Sequence, residues 1–240
     1  MHKIENAIIM AAGFGTRMRP LTYTTPKPLV KVDGVAMIES VIDSLHQNNI
    51  KDITIVVGYL AEKFTYLTAK YKGVRLVTNP YFDQYNNISS LYVVRERLRN
   101  TVILDGDQII NNPAIIGRNF ENSSYAGSWT DTWSDEWVMR ANEDKFVQSC
   151  DRDGGSHGWR LYSLSKWTKE DSVKLRKYLE LEFEDKRQRD IYWDDVPMFK
   201  HFSEFSLKVQ PIDEGDIIEI DSIEQLKAID PEHWGNYVEK

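Results

Sequence analysis

Two glycines and four cations crowd a short stretch directly after an apolar run. Ala7-Ile8-Ile9-Met10 leads into Ala11, Ala12, Gly13, Gly15 and Thr16, with Arg17, Arg19, Lys27 and Lys31 close behind. Small residues let backbone N–H groups approach an anion that a larger side chain would block. Arg17 can fork onto phosphate oxygens, and Lys27 offers a point charge. The chemistry this suits is holding and neutralising a polyphosphate. A solvated basic turn is the alternative for any such charge cluster. Two other phosphate loops do not match: there is no Gly-Lys pair for a Walker A loop, and Met18 stands where a dinucleotide loop needs its third glycine.

Further chemistry-bearing residues lie downstream. "VILDGDQI" ends an apolar run in Asp105, Gly106 and Asp107, and ligands of open α/β folds bind at the carboxyl ends of strands. Magnesium, which accompanies nucleoside triphosphates, takes oxygen ligands there, with phosphates completing its shell. Asn86, Asn87 and Ser90 carry amide and hydroxyl groups able to read a base edge; an Asn-Asn pair ahead of a helix also suits an N-cap. Six of the seven tryptophans fall at positions 129, 133, 137, 159, 167 and 193. Two of them stand beside acids, in Glu136-Trp137 and in Tyr192-Trp193-Asp194-Asp195. Ring faces beside carboxylates suit a quaternary ammonium, which binds by cation–π contact and donates no hydrogen bond. Each tryptophan taken singly also suits a core.

The elements that must position these residues follow from hydrophobic periodicity. Residues 6–12, "DITIVVGY", "GVRLVTN" and "TVILDGDQII" read as buried strands; residues 36–49, "AEKFTYLTAKY" and "SLYVVRERLRN" read as helices between them. That βα order with near-continuous apolar strands predicts a parallel sheet covered on both faces. After about residue 120 the rhythm changes to short alternating segments, "SSYAGSWTD", "EWVMRAN", "KFVQSC" and "GWRLYSLS", with a hairpin turn at "NEDK". A long amphipathic helix is predicted over 168–187, and "IEIDSIEQLKAI" reads as strand, Asp221-Ser222 cap, then helix. The expected architecture is one α/β domain over 1–240, a mainly parallel mixed sheet with an inserted antiparallel region.

Bulk properties narrow the function classes. The 240 residues carry a net charge of -7 and a pI of about 5.3, which speaks against a nucleic-acid surface. One cysteine, Cys150, leaves no disulfide framework and suits a reducing cytoplasm. The N-terminus lacks a signal-peptide h-region, and no apolar run approaches the roughly 20 residues of a membrane span.

Residues 11–22 and 25–29 resemble the signature A-A-G-x-G-[ST]-R-[ML]-x-P-L-T…T-P-K-[PA]-L of nucleotidyltransferases that activate sugar and alcohol phosphates. The match runs almost throughout. That resemblance implies a Rossmann-like fold and catalytic roles for Arg17 and Lys27. It also implies a Mg2+ site at Asp107, supported by Asp105, and at Asp221 of Ile220-Asp221-Ser222; taken alone, Asp221 suits a helix N-cap equally. Over about residues 4–230 the chain resembles the CTP:phosphocholine cytidylyltransferases of bacterial choline-incorporation pathways. The shared features are "VVGY", "YNN" with "SLY", "EW", "YWD" and "EIDS". This resemblance implies CMP transfer from CTP to phosphocholine in the cytoplasm. It implies a choline pocket of Glu136, Trp137, Tyr192, Trp193 and Asp194. Gln108 after Asp107, and the bulky Trp129 and Trp133, depart from the family pattern. A 2-aminoethylphosphonate or sugar-1-phosphate nucleotidyltransferase remains an enzyme alternative. A non-catalytic nucleotide sensor is the rival of another class, against which intact Arg17, Lys27 and Asp107 count. Fusion to, or cooperation with, a choline kinase stays open.

Overall fold

The computed structural model describes residues 1–232; the last eight positions of the domain expected over 1–240 lie outside them. Four parallel strands form the centre: β1 (Asn6–Ala11), β2 (Ile53–Val57), β3 (Val74–Thr78) and β4 (Thr101–Asp105), in the order β3-β2-β1-β4. Every residue of β1 and β2 is buried, because helices cover both faces and leave no side for polar alternation. Helix α1 (Met37–Gln47) covers one face with Met37, Ile38, Val41, Ile42 and Leu45. Helices α2 (Tyr66–Lys70), α3 (Ile88–Val93) and α4 (Lys169–Glu180) are shorter than the periodicity suggests. The helix expected over 61–71 splits at Thr65, where the Thr65 and Thr68 hydroxyls bond the carbonyls of Glu62 and Thr65, 2.8 Å each. The last turn of the 168–187 helix widens into a π-type turn at Leu181–Asp185.

Register sets where the chemistry collects. Met10 lies opposite Asp105, so the loop after β1 and the Asp105–Asp107 turn leave the sheet at the same end. The chain then adds β5 (Gln108–Ile110), β6 (Ser124–Thr130), β7 (Val138–Ala141), β8 (Val147–Asp151), β9 (Gly158–Trp167), β10 (Lys208–Pro211) and β11 (Ile217–Glu219). Strand β9 joins the two regions. Its end pairs antiparallel with β4 and its start with β7, while β6 runs along its other edge and β10 lies parallel to β6. Nine strands thus make one mixed sheet. The "NEDK" turn between β7 and β8 is present, with Lys145 N–H on Asn142 O (2.9 Å) and Phe146 N–H on the Asn142 side chain (2.8 Å). Apart from this sheet, β5 and β11 pair as a two-stranded ribbon leading into helix α5 (Ile223–Ile229). Among the described residues no helix is long and apolar enough to cross a membrane.

Candidate active site

The loop after β1 folds around Gly15. Its φ of 62° is left-handed, and a Cβ there would stand 2.8 Å from Lys27 Cβ and 3.0 Å from Thr22 Cγ2, so only glycine fits. Thr22 Oγ1 donates to Gly15 O at 2.8 Å and fixes the bend. The next turn buries Met18 and leaves Arg17 exposed. A cavity of about 290 Å³ results, lined by Ala11, Ala12, Gly13, Gly15 and Thr16 of the loop, by Arg17 and Lys27, and by Asn87 and Ser90 from the α3 region.

Lys27 is the hub. Its Nζ lies 2.6 Å from Asp107 Oδ2 and 2.6 Å from Asp221 Oδ1, and Arg17 Nη2 donates to that same Asp221 oxygen at 2.8 Å. Only 9% of the Lys27 side chain is exposed. Burial disfavours its charge, but the two carboxylates outweigh burial and raise its pKa above the usual lysine range. Asp221 is held below the ordinary carboxylate range: burial pushes it up, and Lys27 and Arg17 more than reverse that. The helix cap falls to Ser222. Its Oγ accepts from Gln225 N–H (3.2 Å), and Gln225 Oε1 accepts from Ser222 N–H (3.0 Å). Asp221 is therefore released from capping, and its carboxylate faces Lys27.

Asp107 and Asp221 converge on one cationic atom, so the pair marks a position where positive charge is stabilised. Among the described residues no group of three or more His, Cys, Asp or Glu could hold a metal ion. Two carboxylates with phosphate oxygens completing the shell are a donor set that fits nucleotide-bound magnesium. Asp105 stands beside them, its carboxyl pushed up to about 8 by burial and by the charges of Asp107 and Asp194.

A second cavity, about 260 Å³, adjoins the first and shares Arg17, Asn87, Asp105, Asp107 and Asp221 with it. Its far wall carries Glu136, Trp137, Tyr192 and Asp194. The Trp137 and Tyr192 rings meet edge-on, centroids 6.1 Å apart at 87°. Asp194 accepts from Tyr125 OH at 2.8 Å, and burial pushes its pKa up to about 7. Leu161, Ser163 and Glu219 complete the lining; burial lifts Glu219 to about 8 although Arg160 lies 3.5 Å away. Sequence reading missed these three. The available signal was alternation: Glu219 is two residues before Asp221, and Leu161 and Ser163 are alternate positions of β9.

Behind the aromatic wall lies a clamp. The Arg152 guanidinium stacks over Trp137 (5.2 Å) and Phe199 (5.3 Å) and pairs with the buried Asp195. The other Asp195 oxygen accepts from Tyr192 N–H at 2.8 Å. One carboxylate thus ties down both rings.

Three expected site residues lie elsewhere. Trp193, expected against choline, is 4% exposed and packs on Trp167 (6.0 Å) and Tyr125 (6.1 Å). Its neighbours Tyr192 and Asp194 take the cavity positions, and the short turn there sends Trp193 into the core. Asn86 lines neither cavity; its Oδ1 accepts from Asn87 N–H (2.7 Å) and its amide reaches Asp190 O (3.5 Å). Gly106, expected at the nucleotide, instead packs beneath the site. A Cβ there would meet Ile9, Ile38 and Pro28 at 3.2–3.3 Å. Asn87 does line both cavities, with its Oδ1 accepting Trp193 N–H at 2.8 Å, and it does not cap α3 through its side chain.

Comparison with known proteins gives a consistent set. Residues 7–153 match the MobA-like NTP transferase domain. The chain is 37% identical over 227 residues to a 2-aminoethylphosphonate cytidylyltransferase of Lancefieldella rimae, covering 94% of this chain and 92% of the relative. It is 35% identical over 224 residues to a choline-phosphate cytidylyltransferase of Streptococcus pneumoniae, covering 93% and 96%. The solved CTP:phosphocholine cytidylyltransferase of Streptococcus pneumoniae superposes with a TM-score of 0.89 at 34% identity, covering 96% of this chain and 99% of that one.

Proposed function

The chain belongs to the MobA-like NTP transferase family and is a cytidylyltransferase, and from that premise we propose that it transfers CMP from CTP to phosphocholine with release of pyrophosphate. The loop amides and Arg17 hold the β- and γ-phosphates. Lys27 faces the α-phosphate, where charge develops in the transition state. A phosphocholine oxygen attacks the α-phosphorus in line, the bond to the bridging β-phosphate oxygen breaks, and pyrophosphate departs. A phosphate monoester is already anionic near neutrality, so no general base and no covalent intermediate are required. Asp107 and Asp221 would hold a magnesium ion, which would supply further neutralisation of triphosphate charge. Positioning and electrostatics carry the rate.

The observation that carries the acceptor reading is the aromatic corner of Trp137 and Tyr192, beside Glu136 and Asp194. It lines a cavity that shares Arg17 and both aspartates with the nucleotide loop. Ring faces and carboxylates together suit a trimethylammonium group. A second reading, 2-aminoethylphosphonate as acceptor, is favoured by the acceptor-rich wall of Glu136, Asp194 and Glu219, which can receive the N–H groups of a primary ammonium. The test is pyrophosphate release from four nucleoside triphosphates against phosphocholine, phosphoethanolamine, 2-aminoethylphosphonate and glucose-1-phosphate. Highest kcat/KM for CTP with phosphocholine supports the first reading. A higher value with 2-aminoethylphosphonate replaces it by the second. Loss of turnover in EDTA and its return with magnesium tests the metal.

A further inference from the structure

A third cavity, about 750 Å³, runs along β9 from Lys166 to Trp159 and shares no lining residue with the two described above. Lys166 of β9, which pairs with Val102 near the start of β4, lines one end, and Trp159 with its strand partner Trp129 lines the other. Lys166 is 4% exposed. Its hydrogen bond among the described residues goes to Ile115 O at 3.1 Å, an oxygen that also receives Gln210 Nε2 at 2.5 Å. No described carboxylate pairs with it, and burial pushes its pKa down to about 8. A buried ammonium without a counter-charge is costly to maintain, and here it opens onto an unfilled space. Asp213 and Glu214, both exposed, and the half-exposed Trp129 lie on the same lining. The lining thus combines one buried cation with exposed carboxylates and an exposed indole.

We propose that this cavity binds a small zwitterionic organic acid, carboxylate on Lys166 and cationic end among Asp213, Glu214 and Trp129, and that its occupancy is felt at the active site. The route is the β5–β11 ribbon. At one end it leads into Asp107 and Asp221. At the other, Asn112 Nδ2 donates to Asp216 Oδ1 (3.0 Å), and both residues line the cavity. Three rungs, Ile110 with Ile217 through Gln108 with Glu219, separate the two. The binding half of the proposal stands on Lys166, Asp213, Glu214 and Trp129 and is independent of the proposed function; the coupling half rests on the proposed roles of Asp107 and Asp221.

The probes are 4-aminobutyrate and butyrate, titrated calorimetrically into the full chain. Two variants bracket Lys166. Lys166→Met removes the charge. Gly117→Asp supplies a tethered carboxylate, because a Cβ at Gly117 would lie 3.8 Å from Lys166 Nζ and aspartate tolerates its φ of 40°. Gly117→Asn is the uncharged control. The expected result is 4-aminobutyrate binding that weakens roughly tenfold or more in Lys166→Met and in Gly117→Asp and is largely retained in Gly117→Asn. Butyrate should bind more weakly, and saturating 4-aminobutyrate should change kcat/KM for CTP at least about twofold. Gly117→Asp without ligand should shift kcat/KM in the same direction. Absent binding, binding indifferent to both charge variants, or simple competition with CTP overturns the site. Charge-dependent binding with unchanged kinetics overturns the coupling. Calorimetry is read without turnover, so failure of the catalytic reading shows separately.

Discussion

Lys27 links two carboxylates that stand 80 and 194 positions away in sequence, and each residue of that network is expected to act on turnover rather than on folding. Asp107→Asn and Asp221→Asn should abolish pyrophosphate release while far-ultraviolet circular dichroism stays native. Lys27→Ala should lower kcat on the order of 10²-fold, the scale of a lost preorganised donor. The two acid-flanked tryptophans should part company. Trp137→Ala should weaken phosphocholine by roughly 1–2 kcal/mol, the scale of a desolvated cation–π contact, with KM for CTP little changed. Trp193→Ala should instead cost about 3–5 kcal/mol in urea unfolding, since it empties a core position between Trp167 and Tyr125. An unchanged phosphocholine KM in Trp137→Ala would remove the ring from the acceptor site.

At the scale of elements, the step from β11 into α5 divides two jobs between adjacent residues. Ser222 caps the helix and Asp221 is left for Lys27. Ser222→Ala should therefore cost about 1 kcal/mol of stability. It should also reduce kcat, because Gln225 Oε1 holds both Asp221 N–H (2.6 Å) and Ser222 N–H (3.0 Å) only while the capping box stands. A stability loss with full kcat would mean that Asp221 is positioned by Lys27 and Arg17 alone. The π-type turn Val196–Lys200 stands in a comparable position behind the aromatic wall. It follows Asp195, whose carboxylate fastens Tyr192 and, through Arg152, Trp137.

For the molecule as a whole, pH is the informative variable. Asp194 has its carboxyl raised to about 7 in the fold by burial, above its value in an unfolded chain. The native state therefore holds a proton that the unfolded state has lost between about pH 4 and pH 7, and stability falls as pH rises through that window. A thermal-melting series should show this decline, and Asp194→Asn should reduce it. Substrate binding should move the opposite way, because the cationic head is favoured by the ionised carboxylate. KM for phosphocholine should fall from about pH 6 to pH 8, and the Asp194→Asn profile should be flatter. A variant profile that superimposes on the wild type would assign the pH dependence to another group.

Local pattern alone determined the glycine loop after β1, the parallel βα half and the strand-end aspartates. Gly15 needs a left-handed bend, β1 and β2 need two covered faces, and Asp105–Asp107 must leave the sheet where β4 stops; each is settled within a few residues of the chain. Periodicity also located the hairpin turn at "NEDK" and the strand–cap–helix step near Asp221. What tertiary structure decided was partnership. Trp137 and Trp193 carry the same acid-flanked signature, yet one lines a cavity and the other fills a core, because the burial of a side chain depends on what packs across from it. Asp221 and Ser222 are both good caps by type, and Lys27 settles the choice from a distant segment. The Arg152–Asp195 clamp and Lys166, which meets no described carboxylate, share this origin. Charges far apart in sequence meet, or fail to meet, only when the sheet closes, and electrostatic energy depends on that distance rather than on spacing along the chain.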